Sequence, residues 1–554
     1  MKLNPLFAVD GYKFSHGPAY PKGTNKLYDV FTPRSDKYFN SPFFKNLDIR
    51  SPLIWVGMQT FIQHWLVDEF SENFFGVEKE VAVAEFKEFL DAYFGPDAVS
   101  TDSIASLHDL GYLPLVIKTI PEGCNVDMKV ATCTFTNTHD DFAWLVGYLE
   151  TLVSAELWPA ATAATIAMNY KAIGTYWAEL TCENKDHLLW QFHDFSARGD
   201  MGMWACSLVG LGHLASFRGT DSVFALKRTM KHYAVPNVPA TGYLYGGSVP
   251  ATEHSVMCMG EKVSELETFS RLIQEVYPTG IVSIVSDTWD YWKVITEFLP
   301  TLADTINERE GKVVIRPDSG DPVDIICGRL FTDLNGCEHL GHVQTILMGK
   351  PGAVGLYKGT YYEFKRISEE LVVVPEHVVA GSIEMMWRTF GGTINKKGFK
   401  VLNPKIGLIY GDSITMERAE EIFARLAAKD FASSNVVLGI GSYTYQYVTR
   451  DTFGFAMKAT YGEVDGVGRE IFKDPATDDG TKKSAKGLLK HAFIDGVWTQ
   501  ADGVSLRDEQ DTELLTVFKD GVAYPHCDID VIRQRVDALV SGLVYYRMKK
   551  EGLI

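Results

Sequence analysis

The sequence predicts an α/β protein in which a (β/α) barrel-like domain is accompanied by an α+β domain formed by the N-terminal and C-terminal parts. Three observations carry this. From about residue 188 to 450, short apolar runs are each followed by a polar or glycine turn and then a helical stretch, the rhythm of parallel βα units. Residues 1 to about 180 instead mix helical patterns with strand-like runs. Finally, Arg, Asp, His and Gly gather just beyond the apolar runs of the middle region, where a barrel presents its functional groups.

The elements follow in chain order. Val81–Tyr93 carries a helical pattern and Leu113–Ile120 a strand pattern. The apolar runs Gly280–Ser286, Lys312–Arg316, Ile406–Tyr410 and Asn435–Gly439 read as barrel strands. After Arg450 the pattern breaks into strands and loops, with a Lys cluster at Lys473, Lys482, Lys483, Lys486 and Lys490. Asp528–Arg547 is helical by periodicity, with Ile529, Val531, Ile532, Val536, Leu539 and Val540 able to form an apolar face. The expected division is 1–187, 188–450 and 451–554.

Composition bounds the function. With 554 residues, 46% of them hydrophobic and 22% charged, the chain has ample material for two domains. Its 53 Lys+Arg against 71 Asp+Glu leave a net charge of −18, which disfavours nonspecific binding to nucleic acid or anionic membrane. Eight cysteines show no C-x-x-C spacing, the usage of reduced thiols in a cytosolic protein. The N-terminus shows no apolar targeting segment, and no run approaches the roughly 18 apolar residues of a membrane span, so a cytoplasmic, untargeted protein is expected. There is no P-loop, no complete dinucleotide-binding glycine fingerprint, no zinc spacing, and no apolar strand running into two Asp and a Thr-Gly-x-Thr loop.

The stretch Gly247–Ser255 is the most informative, because a Pro-punctuated turn delivers Glu253 and His254 after a glycine-rich entry. Around it stand Asp10–Lys13, His193–Phe195, Arg198-Gly199, Gly219–Asp221, Ser248–Pro250, Val285–Asp287, Arg316–Gly320, Thr449–Asp451 and Phe472–Pro475. In this order the set resembles the barrel-type nicotinate/nicotinamide phosphoribosyltransferase family across most of the chain. The resemblance implies phosphoribosyl transfer from phosphoribosyl pyrophosphate to nicotinamide, driven by ATP hydrolysis through a phosphohistidine at His254, with Mg²⁺ carried by the phosphates. It also implies a homodimer with shared active sites, in which residues 451–554 pack with the N-terminal domain and contribute to the dimer and the phosphate site.

By that resemblance, Phe195 and the partner subunit's Tyr12 sandwich the pyridine ring, Asp221 accepts from the carboxamide NH₂, and Ser283 and Pro317 line the substrate pocket. Arg198 and Arg316 supply guanidinium forks for phosphate. Asp318 holds ribose hydroxyls or stabilises positive charge. Gly411, Asp412, Gly441 and Ser442 form the turns that grip a 5′-phosphate. Glu253 orients His254, while Arg34, Arg450, Lys458, Lys473 and Lys482 reach the phosphates from the other subunit. Two departures stand out: Ser196 follows Phe195 where glycine is usual, and Gly441-Ser442-Tyr443 replaces consecutive glycines. The alternatives are a nicotinate-using enzyme of the same fold, against which an ionised Asp221 argues by charge repulsion, and a catalytically silent barrel that binds nicotinamide or a nucleotide.

Overall fold

Five short runs rich in Val, Ile and Leu form a parallel sheet, in the order Phe192–Asp194, Val436–Ile440, Ile406–Tyr410, Glu310–Arg316 and Thr279–Val285. The computed structural model describes residues 3–236, 245–411, 413–473 and 485–554. Strands of a parallel sheet are covered on both faces, so their side chains are apolar with little alternation; Val282, Ile284, Val313, Ile315, Leu408, Leu438 and Ile440 are all buried.

Two further segments close this sheet into a ring. The backbone at 218–221 lies beside the first strand through the Asp194–Thr220 bridge and beside the 247–252 segment through the Gly219–Gly247 bridge. The 247–252 segment then joins the last strand through Ala251–Ser283. Hydrogen bonds from Asp194 N–H to Gly219 O (3.0 Å), Thr220 N–H to Gly247 O (3.0 Å) and Ser283 N–H to Pro250 O (2.9 Å) complete the circuit. Every strand therefore ends on one rim, which carries the motif residues.

The buried cluster around the barrel also takes in residues from outside 188–450. The helix Glu150–Thr181 contributes Ala160, Ala163, Ala164, Ala167 and Ile173, and the helix Ile529–Lys550 contributes Ile529, Ile532, Val536, Val540 and Val544. Small residues let the long helix approach Met203–Leu214 closely: a Cβ on Gly212 would come 2.6 Å from both the Ala163 Cβ and the Ala164 N.

A second, seven-stranded sheet is built from both chain ends, in the order Val467–Glu470, Ala456–Val464, Thr24–Thr32, Cys133–Asn137, Leu115–Thr119, Leu515–Lys519 and Val522–Ala523. Its pairings are antiparallel throughout. Within the middle region the sequence reading of unbroken βα alternation meets a difference. Phe331–Asp333, Val354–Tyr357, Thr360–Lys365 and Glu370–Val374 form a separate four-stranded sheet, with a small core of Leu334, Val343, Leu347, Tyr357 and Phe364. Its hairpin turns at Lys358-Gly359, both with positive φ, which reverses the chain instead of feeding a crossover helix. Among the described residues no helix is long and apolar enough to cross a membrane.

Candidate active site

The barrel rim brings most of the expected residues into one connected set. Phe195 follows the strand Phe192–Asp194, its N–H bonded to Ile440 O at 2.9 Å. Its ring lies 4.6 Å from the His193 ring, and a Cβ on Gly439 would come 2.8 Å from its Cδ2, so glycine there makes room for the aromatic. His193 Nε2 meets Asp221 Oδ1 at 2.9 Å. Burial pushes the Asp221 carboxyl up, but the His193 hydrogen bond, the Ser248 hydroxyl and the Arg316 charge outweigh it and leave the pKa below the usual value. Asp221 is thus an ionised acceptor, with its side chain 43% exposed at the rim.

His254 opens the helix His254–Met259 directly after the closing stave. Its Nδ1 meets Thr288 Oγ1 at 3.0 Å, and its Nε2 faces Asp287 Oδ1 at 3.9 Å. The Asp287 side chain is 4% exposed; its Oδ2 accepts the Asp318 N–H at 2.9 Å, and its Oδ1 makes no hydrogen bond among the described residues. Glu253, expected to orient the imidazole, instead accepts from the Ser255 hydroxyl. It is the residue before the helix, so its exposed side chain reaches along the first turn while Thr288 bonds the ring. The sequence reading placed Asp287 in a motif without assigning it a role, although it follows an apolar run as Asp221 and Asp318 do.

Arg316 ends its strand and donates from Nη2 to Thr252 O at 2.6 Å, while its buried Nε has no hydrogen-bond partner among the described residues. Pro317 is buried and Asp318 half-buried beside Gly411, where a Cβ would come 2.6 Å from Asp318 Oδ1. Gly411 N–H reaches Pro317 O at 3.4 Å; Asp412 lies outside the described residues. Ser283 is buried on the strand Thr279–Val285, with its Oγ unbonded among the described residues.

Arg198 is exposed on the single turn Ala197–Gly199. That turn sits against Ser442, so the Arg198 turn and the Gly441-Ser442 turn touch. Both departures from the family pattern are accommodated. Ser196 has φ −75° and ψ −28°, a right-handed conformation open to any residue, and its N–H bonds Asp194 Oδ1 at 2.9 Å. Gly441 has φ −89°, and Ser442 starts the helix Ser442–Gln446 without positive φ.

Those of the remaining residues that the structure describes lie on or beside the antiparallel sheet, Tyr12 and Arg450 on short turns. Tyr12 is 57% exposed, and its ring meets His16 at 5.2 Å and Lys13 Nζ at 5.7 Å. Among the described residues, no ring contact or hydrogen bond of this chain joins it to Phe195 or Asp221. Glu150 holds both Lys13, at 2.5 Å, and Lys458, at 3.1 Å. Behind this group lies Asp29, fully enclosed, its carboxyl raised to about 7 by burial and by Glu150. Arg34 donates from Nε to Gly454 O at 2.6 Å, which ties it to the turn carrying Arg450, itself near Asp451 at 3.7 Å. Lys473 is exposed beyond the strand Val467–Glu470, and Lys482 lies outside the described residues.

The chain is similar to known proteins over nearly its whole length. A protein named nicotinamide phosphoribosyltransferase from Acinetobacter baylyi is 46% identical over 541 residues, covering 97% of each chain. One of the same name from Mycoplasma pneumoniae is 30% identical over 492 residues, covering 88% of this chain and 95% of that protein. Among solved structures, the nicotinate-nucleotide pyrophosphorylase of Pyrococcus furiosus matches with a TM-score of 0.52 at 12% identity, over 98% of this chain and 96% of its own, a likeness of fold. The sequence description of the nicotinate phosphoribosyltransferase (NAPRTase) family matches residues 190–521, and with these relatives it shows that the chain belongs to that family.

Proposed function

We propose that this protein is a nicotinamide phosphoribosyltransferase, which joins nicotinamide to phosphoribosyl pyrophosphate to give nicotinamide mononucleotide and pyrophosphate in NAD salvage. The observation that carries the choice of substrate is Asp221, ionised on the rim and fixed by His193. A carboxylate there accepts from the NH₂ of nicotinamide and repels the carboxylate of nicotinate. The names of the similar proteins support the same reading.

In this reading the pyridine nitrogen attacks the sugar carbon as pyrophosphate leaves, through an oxocarbenium-like centre that positioning and charge stabilise. Phe195 and the partner subunit's Tyr12 hold the ring between them. Arg316, whose buried Nε is unengaged among the described residues, and Arg198 take the phosphates. Asp318 serves the ribose, and Gly411 and Asp412, with the turn at Gly441-Ser442, receive the 5′-phosphate. Mg²⁺ enters with the phosphates, and the half-buried Asp318 beside them offers the kind of carboxylate such an ion takes. His254, with Nδ1 on Thr288, presents Nε2 as the nucleophile toward the γ-phosphoryl group of ATP. Arg34, Arg450, Lys458, Lys473 and Lys482 neutralise phosphate charge across a homodimer in the cytoplasm.

Incubation with phosphoribosyl pyrophosphate, Mg²⁺ and either nicotinamide or nicotinate, with and without ATP, tests this directly. The expected product is nicotinamide mononucleotide, with ATP consumed. Nicotinate mononucleotide as the preferred product, or no mononucleotide from either base, overturns it.

A further inference from the structure

Glu122, His526 and Cys527 come from opposite ends of the chain and meet away from the barrel rim. One ligating atom from each lies within 4.8 Å of the others. Glu122 is completely buried, and its carboxylate is aimed by three donors: Gly57 N–H at 2.7 Å, Gln59 N–H at 2.6 Å and Tyr233 O–H at 2.9 Å. The Gln59 side chain sets the other two residues. Its Oε1 accepts the N–H of His526 at 2.8 Å and of Cys527 at 3.3 Å, while its Nε2 donates to Cys527 O at 2.9 Å. One frame therefore holds all three side chains in place.

That frame leaves the imidazole unengaged. The His526 side chain is 7% exposed, yet neither ring nitrogen has a hydrogen-bond partner among the described residues. Buried polar groups are normally paired, and a ring with both nitrogens orphaned calls for a cause. Nε2 lies 3.6 Å from Glu122 Oε1, too far for a hydrogen bond. Two atoms bound to one tetrahedral ion at about 2.0–2.2 Å sit about 3.3–3.6 Å apart, which is this spacing. Among the described residues, the Cys527 thiol makes only a long 4.0 Å contact with Gln59 Oε1.

The donor set selects the ion. Thiolate, imidazole and carboxylate together suit zinc rather than magnesium or calcium, which prefer all-oxygen sites. A carboxylate and a thiolate balance a divalent charge, and the nearby Arg535, which donates to the Glu122 carbonyl, is offset by Asp528. We propose that Glu122, His526 and Cys527 bind one zinc-class divalent cation, with water in the fourth position, and that this ion ties the start of the C-terminal helix to the antiparallel-sheet domain.

The test uses the full chain, purified without a histidine tag and dialysed into metal-free buffer after loading with zinc or cobalt. About one zinc per chain by elemental mass spectrometry is expected, with a thiolate-to-cobalt charge-transfer band in the near ultraviolet and a lower Tm after chelation. The band should vanish in Cys527→Ser and persist in Cys258→Ser, a control at an exposed cysteine. Wild-type protein that takes up neither ion overturns the proposal, as does a band that survives Cys527→Ser. The wild-type measurement stands by itself if a variant fails to fold. Since the readout is metal content and spectrum, its failure is distinct from failure of the transferase reading.

Discussion

The barrel rim and the antiparallel sheet each carry part of the expected site, and they differ in how their charged groups are engaged. On the rim, Asp221 meets His193, Asp287 accepts the Asp318 N–H and faces His254, and Arg316 donates to Thr252 O, all within a single chain. On the sheet, Lys13 and Lys458 share Glu150, and Arg34 bonds the turn that carries Arg450. The first group keeps buried polar atoms unengaged among the described residues, Asp287 Oδ1, Arg316 Nε and Ser283 Oγ, whereas in the second Lys13, Lys458 and Arg450 lie beside acids. In the homodimer proposed above, the sheet's cations would meet a partner's phosphates, and the mixed dimers below test that reading.

The largest expected effect lies at the rim. His254→Ala should abolish ATP hydrolysis and phosphoenzyme formation while leaving slow ATP-independent synthesis, since the displacement itself needs no protein nucleophile. Acid-labile, base-stable labelling from γ-labelled ATP checks the wild type. Equal loss of both activities would break the division of labour between His254 and the pyridine pocket.

The comparison itself is tested by mixed dimers. Tyr12→Ala and Asp221→Ala homodimers should both be poor enzymes, whereas co-assembled chains with differential tags have one intact pocket in each mixed dimer. Random pairing should recover about a quarter of wild-type activity per site. Tagged mixed dimers with no recovery would place Tyr12 in its own chain's work, or in none.

Gly411→Ala should lower kcat/KM by about ten- to a hundredfold with the fold retained, because the new Cβ displaces the Asp318 carboxylate. Asp221→Asn should narrow the nicotinamide-over-nicotinate ratio of kcat/KM by about tenfold, by removing the like charge. An unchanged ratio in folded protein removes Asp221 from amide recognition.

The smallest effect concerns the sheet. Asp29 has a folded-state pKa of about 7 against the ordinary 3.8, so between these values the native state binds the extra proton and stability falls as pH rises. Asp29→Asn should flatten that slope, raising Tm relative to wild type at pH 8 and less so at pH 5. Parallel Tm-versus-pH curves for the two proteins would show that the carboxyl does not titrate there.

Much of this was legible in the sequence where local pattern and tertiary role coincide. Strands such as Ile406–Tyr410 are apolar because both faces are covered, and the rim residues follow them directly. The four-stranded insert was not legible, since strands such as Glu370–Val374 are largely exposed and carry no buried-strand signature. The staves at 218–221 and 247–252 have single-rung pairings that no run of residues announces. The hold of Thr288 on His254, like that of Gln59 on His526, depends on where distant segments meet, which periodicity does not encode.

The way the ring closes has a mechanical consequence. Five of its staves share continuous ladders, whereas the stave leading into His254 is stitched to each neighbour by one bridge. A displacement of the imidazole by an incoming or departing phosphoryl group bears first on that seam, and it reaches Arg316 through the bond from its Nη2 to Thr252 O. Amide exchange should accordingly be faster along 218–221 and 247–252 than along the five laddered strands of the ring.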